Sequence, residues 1–70
     1  MRWDKLIKDL RDKLMLSQTE MATLLDVAFA TVNRWENGKN EPTIKAKRKI
    51  KELSIQNGID ICAYYEEKRG

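Results

Sequence analysis

The sequence predicts an all-α fold, a compact bundle of four to five helices that forms a single domain over residues 1–70. Two observations support this prediction. Apolar residues recur three and four positions apart, which is the period of an α-helix with one buried face. Capping residues and glycines stand between these runs, where helices begin and end. A domain of 70 residues has a small core, because it buries only about 60% of the surface that its unfolded chain exposes.

The first helix is predicted to run from about Trp3 to Leu14. Its apolar residues have the spacing i, i+3, i+4, i+7 and i+11, which places them on one face of the helix. Lysines and aspartates cover the other face. The apolar residues of this helix are Trp3, Leu6, Ile7, Leu10 and Leu14.

The second helix is predicted to begin after Ser17. The Ser17 hydroxyl can accept a hydrogen bond from the backbone N–H of Glu20, and the Glu20 side chain can accept one from the N–H of Ser17. This reciprocal arrangement is a capping box. Asp26 follows the helix, and aspartate tolerates the left-handed conformation of a turn better than most residues. The predicted buried residues are Met21, Leu24 and Leu25.

The third helix is expected to span about Ala28 to Asn37. Val32 and Trp35 are three positions apart and should point inward. Gly38 should end the helix as a residue with positive φ. The residues that fall on the outer side are Phe29, Ala30, Asn33 and Arg34.

The fourth helix is predicted to begin at Pro42-Thr43 and to continue to Asn57. Gly58 then stops it. Its expected inward residues are Ala46, Ile50 and Leu53. The tail from Asp60 to Arg69 is predicted to form a short fifth helix that uses Ile61, Tyr64 and Tyr65.

Two motifs in the segment from Leu16 to Pro42 carry a family resemblance. The pattern SQ-x-E-x-A-x-L-L begins at Ser17, and the run TVNRWENGK follows it at Thr31. Together they resemble the Cro/phage-repressor (XRE) type of helix-turn-helix domain, and Leu10 and Arg11 extend the match. The resemblance implies that helices two and three form a helix-turn-helix, and that helix 28–37 enters the major groove of DNA.

The resemblance also implies which residues contact DNA. Arg34 can donate two hydrogen bonds to guanine, Asn33 can pair with adenine, and Phe29 can press on a thymine methyl group. The alternatives are a solvated amide at Gln18, a mobile surface lysine at Lys39 and a partly buried ring at Phe29. The implied base-contacting residues are Phe29, Ala30, Asn33 and Arg34, and the implied phosphate-contacting residues are Gln18, Thr31, Lys39 and Asn40.

The resemblance further implies a structural salt bridge between Arg11 and Glu36, which joins the first helix to the end of the third. The family commonly has glycine where this chain has Met15 and Asp26, and serine where it has Ala28. A methionine in a left-handed helix end costs roughly 1 kcal/mol, and the loss of an N-cap costs about 1 kcal/mol.

Charge and composition restrict the function. The formal net charge is +3, which is modest for a nucleic-acid binder, so the argument depends on how the charges are distributed. Glu41 is the only acid between Lys39 and Lys51, and this run is interpreted as a phosphate-facing patch or as a solvated helix face. Its basic residues are Lys39, Lys45, Lys47, Arg48, Lys49 and Lys51.

The residue inventory argues against cofactor and enzyme chemistry. The single cysteine, Cys62, cannot form an internal disulfide, and with no histidine it cannot build a zinc site. Ser17 and Ser54 lack a histidine base, and the adjacent acids Glu66 and Glu67 point to different sides of any helix. We expect no enzyme activity, no metal and no cofactor. We also expect a cytoplasmic location, because no apolar stretch approaches the roughly 20 residues that span a membrane.

Sequence-specific binding of double-stranded DNA by a transcriptional regulator, such as a repressor, is the favoured function. The chain could instead be the DNA-targeting module of a larger protein or an antitoxin component with a toxin partner. A protein-interaction module that has lost DNA binding is the alternative from another class. A homodimer is a further open question. Its candidate surface could equally pack on the domain's own core, and consists of Ile59, Ile61, Tyr64 and Tyr65.

Overall fold

The computed structural model describes residues 1–65. Within that range the chain forms helices and no strands, so the all-α prediction is confirmed. The helices are α1 (Trp3–Leu14), α2 (Gln18–Leu25), α3 (Phe29–Glu36) and α4 (Ile44–Gln56), followed by a short 3₁₀-helix (Ile61–Tyr64). α1 packs against α3 and α4, and α2 packs against α3 and α4.

The predicted helix ends agree with the structure to within about two residues. α1 has the predicted bounds. The capping box of α2 is present, because the Ser17 Oγ accepts from the Glu20 N–H at 3.1 Å and the Ser17 N–H donates to the Glu20 carboxylate at 2.9 Å. Thr43 caps α4 by accepting from the Ala46 N–H at 3.3 Å. Ala28 precedes α3 and offers no side-chain cap.

The core forms where the apolar stripes of all four α-helices meet, and one predicted core residue is misplaced. Leu24 was predicted to be buried but is 41% exposed, whereas Ala22 is buried. α2 faces α3 and α4 at once, so its buried arc runs from Met21 through Leu25 to Ala22. Leu24 lies about 60° beyond the other edge of that arc, since each helical residue turns by about 100°. The buried apolar residues are Trp3, Leu6, Ile7, Leu10, Met21, Ala22, Leu25, Val32, Trp35, Ala46 and Ile50.

Ser54 is a core residue that the apolar pattern does not predict. It is fully buried, and its Oγ donates to the Ile50 carbonyl at 2.7 Å. This bond satisfies the hydroxyl, because a serine within a helix can bond to the carbonyl four residues earlier. Leu53, which was predicted to point inward, is partly buried against the core.

Two helices end in the left-handed conformation at residues other than glycine. Met15 follows α1 and Asp26 follows α2, each with φ 59°. Gly38 and Gly58 adopt positive φ as predicted, at 73° and 75°. The Met15 side chain is 88% exposed, so contacts with the core do not offset its backbone strain.

The C-terminal segment fastens to the start of α1. The predicted fifth helix is a 3₁₀-helix of four residues, Ile61–Tyr64, and residues 66–69 of the prediction lie outside the described range. The Tyr64 hydroxyl donates to the Asp9 carboxylate at 2.5 Å. The Arg2 N–H donates to the Tyr64 carbonyl at 2.7 Å. These two bonds, called the terminal clasp below, close the fold.

The helices of residues 1–65 were compared with the length and hydropathy of a membrane span. None of them is both long and apolar enough to cross a bilayer.

Replacing Met15 tests the strain at the end of α1. Met15→Gly should be more stable than Met15→Ala by roughly 1 kcal/mol, because glycine has no Cβ to clash in the left-handed region. Thermal melts followed by circular dichroism should show a Tm difference of about 4–8 °C. Lys8, which is exposed within α1, is the matched control. There the order should reverse, with glycine about 1 kcal/mol less stable than alanine. The same order at both positions would contradict the assigned strain.

The terminal clasp predicts a tyrosine with a high pKa. The hydrogen bond to Asp9, together with burial and the charge of that carboxylate, raises the pKa of Tyr64 to about 12. In a Tyr65→Phe background Tyr64 is the remaining tyrosine, and its ionisation can be followed by ultraviolet absorbance. Adding Asp9→Asn should bring the pKa back toward about 10. The clasp stabilises the neutral phenol, so its contribution is complete below about pH 10 and is lost as the pH rises through the higher value. An unchanged pKa in Asp9→Asn would exclude the clasp.

Candidate nucleic-acid interface

α2 and α3 pack closely together and are joined by a turn of three residues, 26–28. The Asp26 N–H donates to the Thr23 carbonyl at 3.2 Å, and the Val27 N–H donates to the Ala22 carbonyl at 2.9 Å. Val27 also packs against the core. The turn therefore fixes the direction of α3 relative to α2.

The outer face of α3 presents the side chains that were predicted to contact bases. Phe29 is 51% exposed, and Ala30 and Arg34 are also exposed. Within residues 1–65 the Arg34 side chain has no hydrogen-bond or ion-pair partner, so its guanidinium is free to bind a ligand. Asn33, the fourth predicted base-contacting residue, is half-buried.

The predicted phosphate-contacting residues lie on both sides of this face. Lys39 and Asn40 are exposed in the loop after α3, and the Lys39 N–H donates to the Arg34 carbonyl at 3.0 Å. Gln18 begins α2 and Thr31 lies in α3, and both are half-buried. The loop is thus held at the end of the helix whose outer face carries Arg34.

Arg11 and Glu36 form a two-point ion pair beneath the interface. The Arg11 Nε lies 2.7 Å from Glu36 Oε2, and Nη2 lies 3.1 Å from Oε1. Arg11 Nη1 also donates to the Leu16 carbonyl at 3.1 Å. The exposed fractions of the two side chains are 20% for arginine and 4% for glutamate. One guanidinium therefore connects α1, the segment before α2 and the end of α3.

The ion pair changes the protonation of both partners. Burial raises the pKa of the Glu36 carboxyl, but hydrogen bonds from Arg11 and Gln18 outweigh burial, and the net pKa lies below its ordinary value. The hydrogen bond to Glu36 raises the pKa of the Arg11 guanidinium. Both side chains are therefore charged near neutral pH.

A chain of side-chain amides extends the ion pair toward the surface. Gln18 Nε2 donates to Glu36 Oε1 at 3.0 Å, and Gln18 Oε1 accepts from Asn33 Nδ2 at 3.3 Å. Asn33 Oδ1 in turn accepts from Asn37 Nδ2 at 3.1 Å. We call the Gln18–Asn33–Asn37 series the amide chain. It brings a predicted phosphate-contacting residue and a predicted base-contacting residue into direct contact.

The basic run that was interpreted as one phosphate-facing patch is divided between two faces. Lys47 binds Glu41 at 3.0 Å, and Lys47 and Lys51 lie over the Trp3 ring at 5.3 and 5.9 Å from its centroid. Lys45, Arg48 and Lys49 instead line a groove beside the end of α2. Lys47 and Lys51 therefore help to cover the core, which the charge pattern alone does not predict.

Sequence reasoning missed the role of Asn37, which it treated only as a helix end. Asn33 and Asn37 are four residues apart, a spacing that brings two amides together on a helix, and this signal could have identified the pair. No equivalent signal exists for Lys47 and Lys51, because their contact with Trp3 depends on how α4 packs on α1. Within residues 1–65 no cluster of histidine, cysteine, aspartate and glutamate could hold a metal ion.

Comparison with known proteins gives one match. A family model described as helix-turn-helix matches residues 7–53, which covers most of α1, all of α2 and α3, and most of α4. No curated protein and no solved structure matches the chain.

The ion pair predicts a large loss of stability when one partner is removed. Arg11→Ala or Glu36→Ala should destabilise the domain by about 3–5 kcal/mol, since each leaves a charge buried without its partner. Thermal and urea melts measure this. Glu41→Ala, which breaks the exposed Lys47–Glu41 pair, is the control and should change stability by less than about 1 kcal/mol. Wild-type stability in either single variant would show that the ion pair does not support the fold.

Proposed function

The chain belongs to the Cro/C1-type helix-turn-helix family, a family of DNA-binding domains, and from this premise we propose that it is a transcriptional regulator that binds specific sites on double-stranded DNA. The observation that carries the proposal is the exposed face of α3, which lies between Gln18 and Lys39. This arrangement suits a helix that enters the major groove while residues on either side hold the two DNA backbones.

Each exposed residue of α3 has a chemical role in this proposal. Arg34 donates two hydrogen bonds to the O6 and N7 atoms of a guanine. Phe29 makes apolar contact with a thymine methyl group, and the small Ala30 side chain lets the helix approach the base edges. Arg34 has no partner within residues 1–65, so binding a base does not require it to give up an internal bond.

Phosphate binding is assigned to residues around this face. Lys39 and Asn40 follow α3 in an exposed loop, where they reach one backbone. Gln18 reaches the other from the start of α2, and Thr31 offers its hydroxyl from α3. Such contacts set affinity and register, and they make binding depend strongly on salt. A protein-interaction module that has lost DNA binding would show little of that dependence.

We further propose that the protein binds as a homodimer to a near-palindromic site. Ile59 and Tyr64 pack against the domain's own core, which removes them from the predicted dimer surface. Tyr65 is 54% exposed and Ile55, on α4, is 67% exposed. These two residues are the apolar surface that remains available for a second copy near the C-terminal end of the described chain.

Selection of bound sequences from a random duplex pool tests the proposed function as a whole. A dimer should yield a symmetric motif whose half-sites lie about 34–36 Å apart, which is one helical turn of DNA. An asymmetric motif would support a monomer. Recovery of no motif at all would refute sequence-specific binding.

The division between base and phosphate contacts predicts two different phenotypes. Arg34→Ala should weaken binding to the preferred site by about 1–3 kcal/mol and relax the preference at one base position. Lys39→Ala should weaken binding to all sequences alike and reduce the salt slope by about one unit. Fluorescence anisotropy with the preferred duplex and its single-base variants, at several salt concentrations, measures both effects.

Lys5→Ala is the charge-matched control for this experiment, because Lys5 lies on α1 and pairs with Asp9 at 3.4 Å. It should leave affinity and base preference unchanged. A uniform loss in both Arg34→Ala and Lys39→Ala would show that neither residue reads a base.

A further inference from the structure

We propose that Asn33 is a positioning residue: with Asn37 it orients the Gln18 amide toward a DNA phosphate, and it does not itself read a base. This inference deepens the proposed function and rests on it. It reassigns one of the four residues on the outer side of α3, and it gives Asn37 a role in DNA binding.

Both ends of the Asn33 amide are already bonded. Its Nδ2 donates to Gln18 Oε1 at 3.3 Å, and its Oδ1 accepts from Asn37 Nδ2 at 3.1 Å. A specific contact with adenine requires the same two groups, one N–H to donate and one oxygen to accept. Asn33 would have to break both internal bonds to make that contact, whereas Arg34 breaks none.

The amide chain has a fixed direction because it ends on a carboxylate. Glu36 can only accept, so Gln18 must turn its NH₂ group toward Glu36 and its oxygen toward Asn33. Asn33 must then donate to Gln18 and accept from Asn37. Reversing any one amide would oppose two donors or two acceptors. Hydrogen bonds in such a series polarise and strengthen one another.

The fixed direction leaves one group available for a ligand. A glutamine amide carries two N–H donors, and Gln18 uses one of them on Glu36. The second is held in position by bonds on both sides of the amide, so Gln18 meets a phosphate with little further loss of side-chain freedom. Asn33 and Asn37 therefore act on affinity through Gln18.

Binding measurements with Asn33→Ala, Gln18→Ala and the double variant test the proposal. Each single variant should weaken binding to the preferred duplex and to every single-base variant by the same factor, roughly 2- to 12-fold, which corresponds to one hydrogen bond. In the Gln18→Ala background, Asn33→Ala should add no further loss. Asn37→Ala should show the same uniform, Gln18-dependent loss. Gln56→Ala, an exposed glutamine of α4, is the control and should have no effect.

The opposite outcome is equally specific. If Asn33→Ala relaxes the preference at one base position, and still does so in the Gln18→Ala background, Asn33 reads that base and the proposal is overturned. Asn33→Asp separates the two roles further. It can still accept from Asn37 but cannot donate to Gln18 at neutral pH, so it should bind every duplex at least as weakly as Asn33→Ala does.

A measurement without DNA separates this inference from the proposed function. The side-chain NH₂ signals of Gln18 in a ¹H–¹⁵N spectrum should move in Asn33→Ala and in Asn37→Ala, and stay in place in Gln56→Ala. Unmoved signals in Asn33→Ala would overturn the amide chain even if DNA binding is intact. Failure of the wild-type protein to bind any duplex at low salt would overturn the proposed function and this inference together, with the spectral shifts unaffected.

Discussion

The fold and the candidate interface both depend on the ion pair between Arg11 and Glu36. It lies among the helices rather than on the surface, and its arginine also binds the Leu16 carbonyl. Two charges in a partly buried position are tolerated only when their hydrogen-bonding groups are satisfied. That requirement fixes the end of α3 relative to α1 and the start of α2, and hence relates the exposed face of α3 to Gln18.

Local signals in the sequence were sufficient to predict most of the helices. The capping box at Ser17, the positive φ at Gly38 and the apolar period of α1 are each decided within a few residues, so they can be recognised without the fold. Leu24 could not be placed in the same way. Whether a residue at the edge of an apolar stripe is buried depends on the directions from which neighbouring helices approach, and α2 meets two of them.

The candidate site shows the same division between local and tertiary information. The exposure of Phe29 and Arg34 follows from the helical period, because Val32 and Trp35 occupy the inner face. The bond between Gln18 and Asn33 joins residues 15 positions apart, and it depends on how α2 meets α3. The basic run of α4 was divided for a similar reason, since Trp3 holds two of its lysines at the opposite end of the domain.

The terminal clasp has a consequence for the order of folding. It joins Asp9 to Tyr64, which are 55 residues apart, so forming it early would close a loop of most of the chain for only two hydrogen bonds. The entropy of closing a loop rises with its length, and it is recovered only after the intervening helices have packed. The clasp should therefore form last and open first. Brief openings would then expose the start of α1 and the segment after α4 while the ion pair and the α2–α3 turn remain intact.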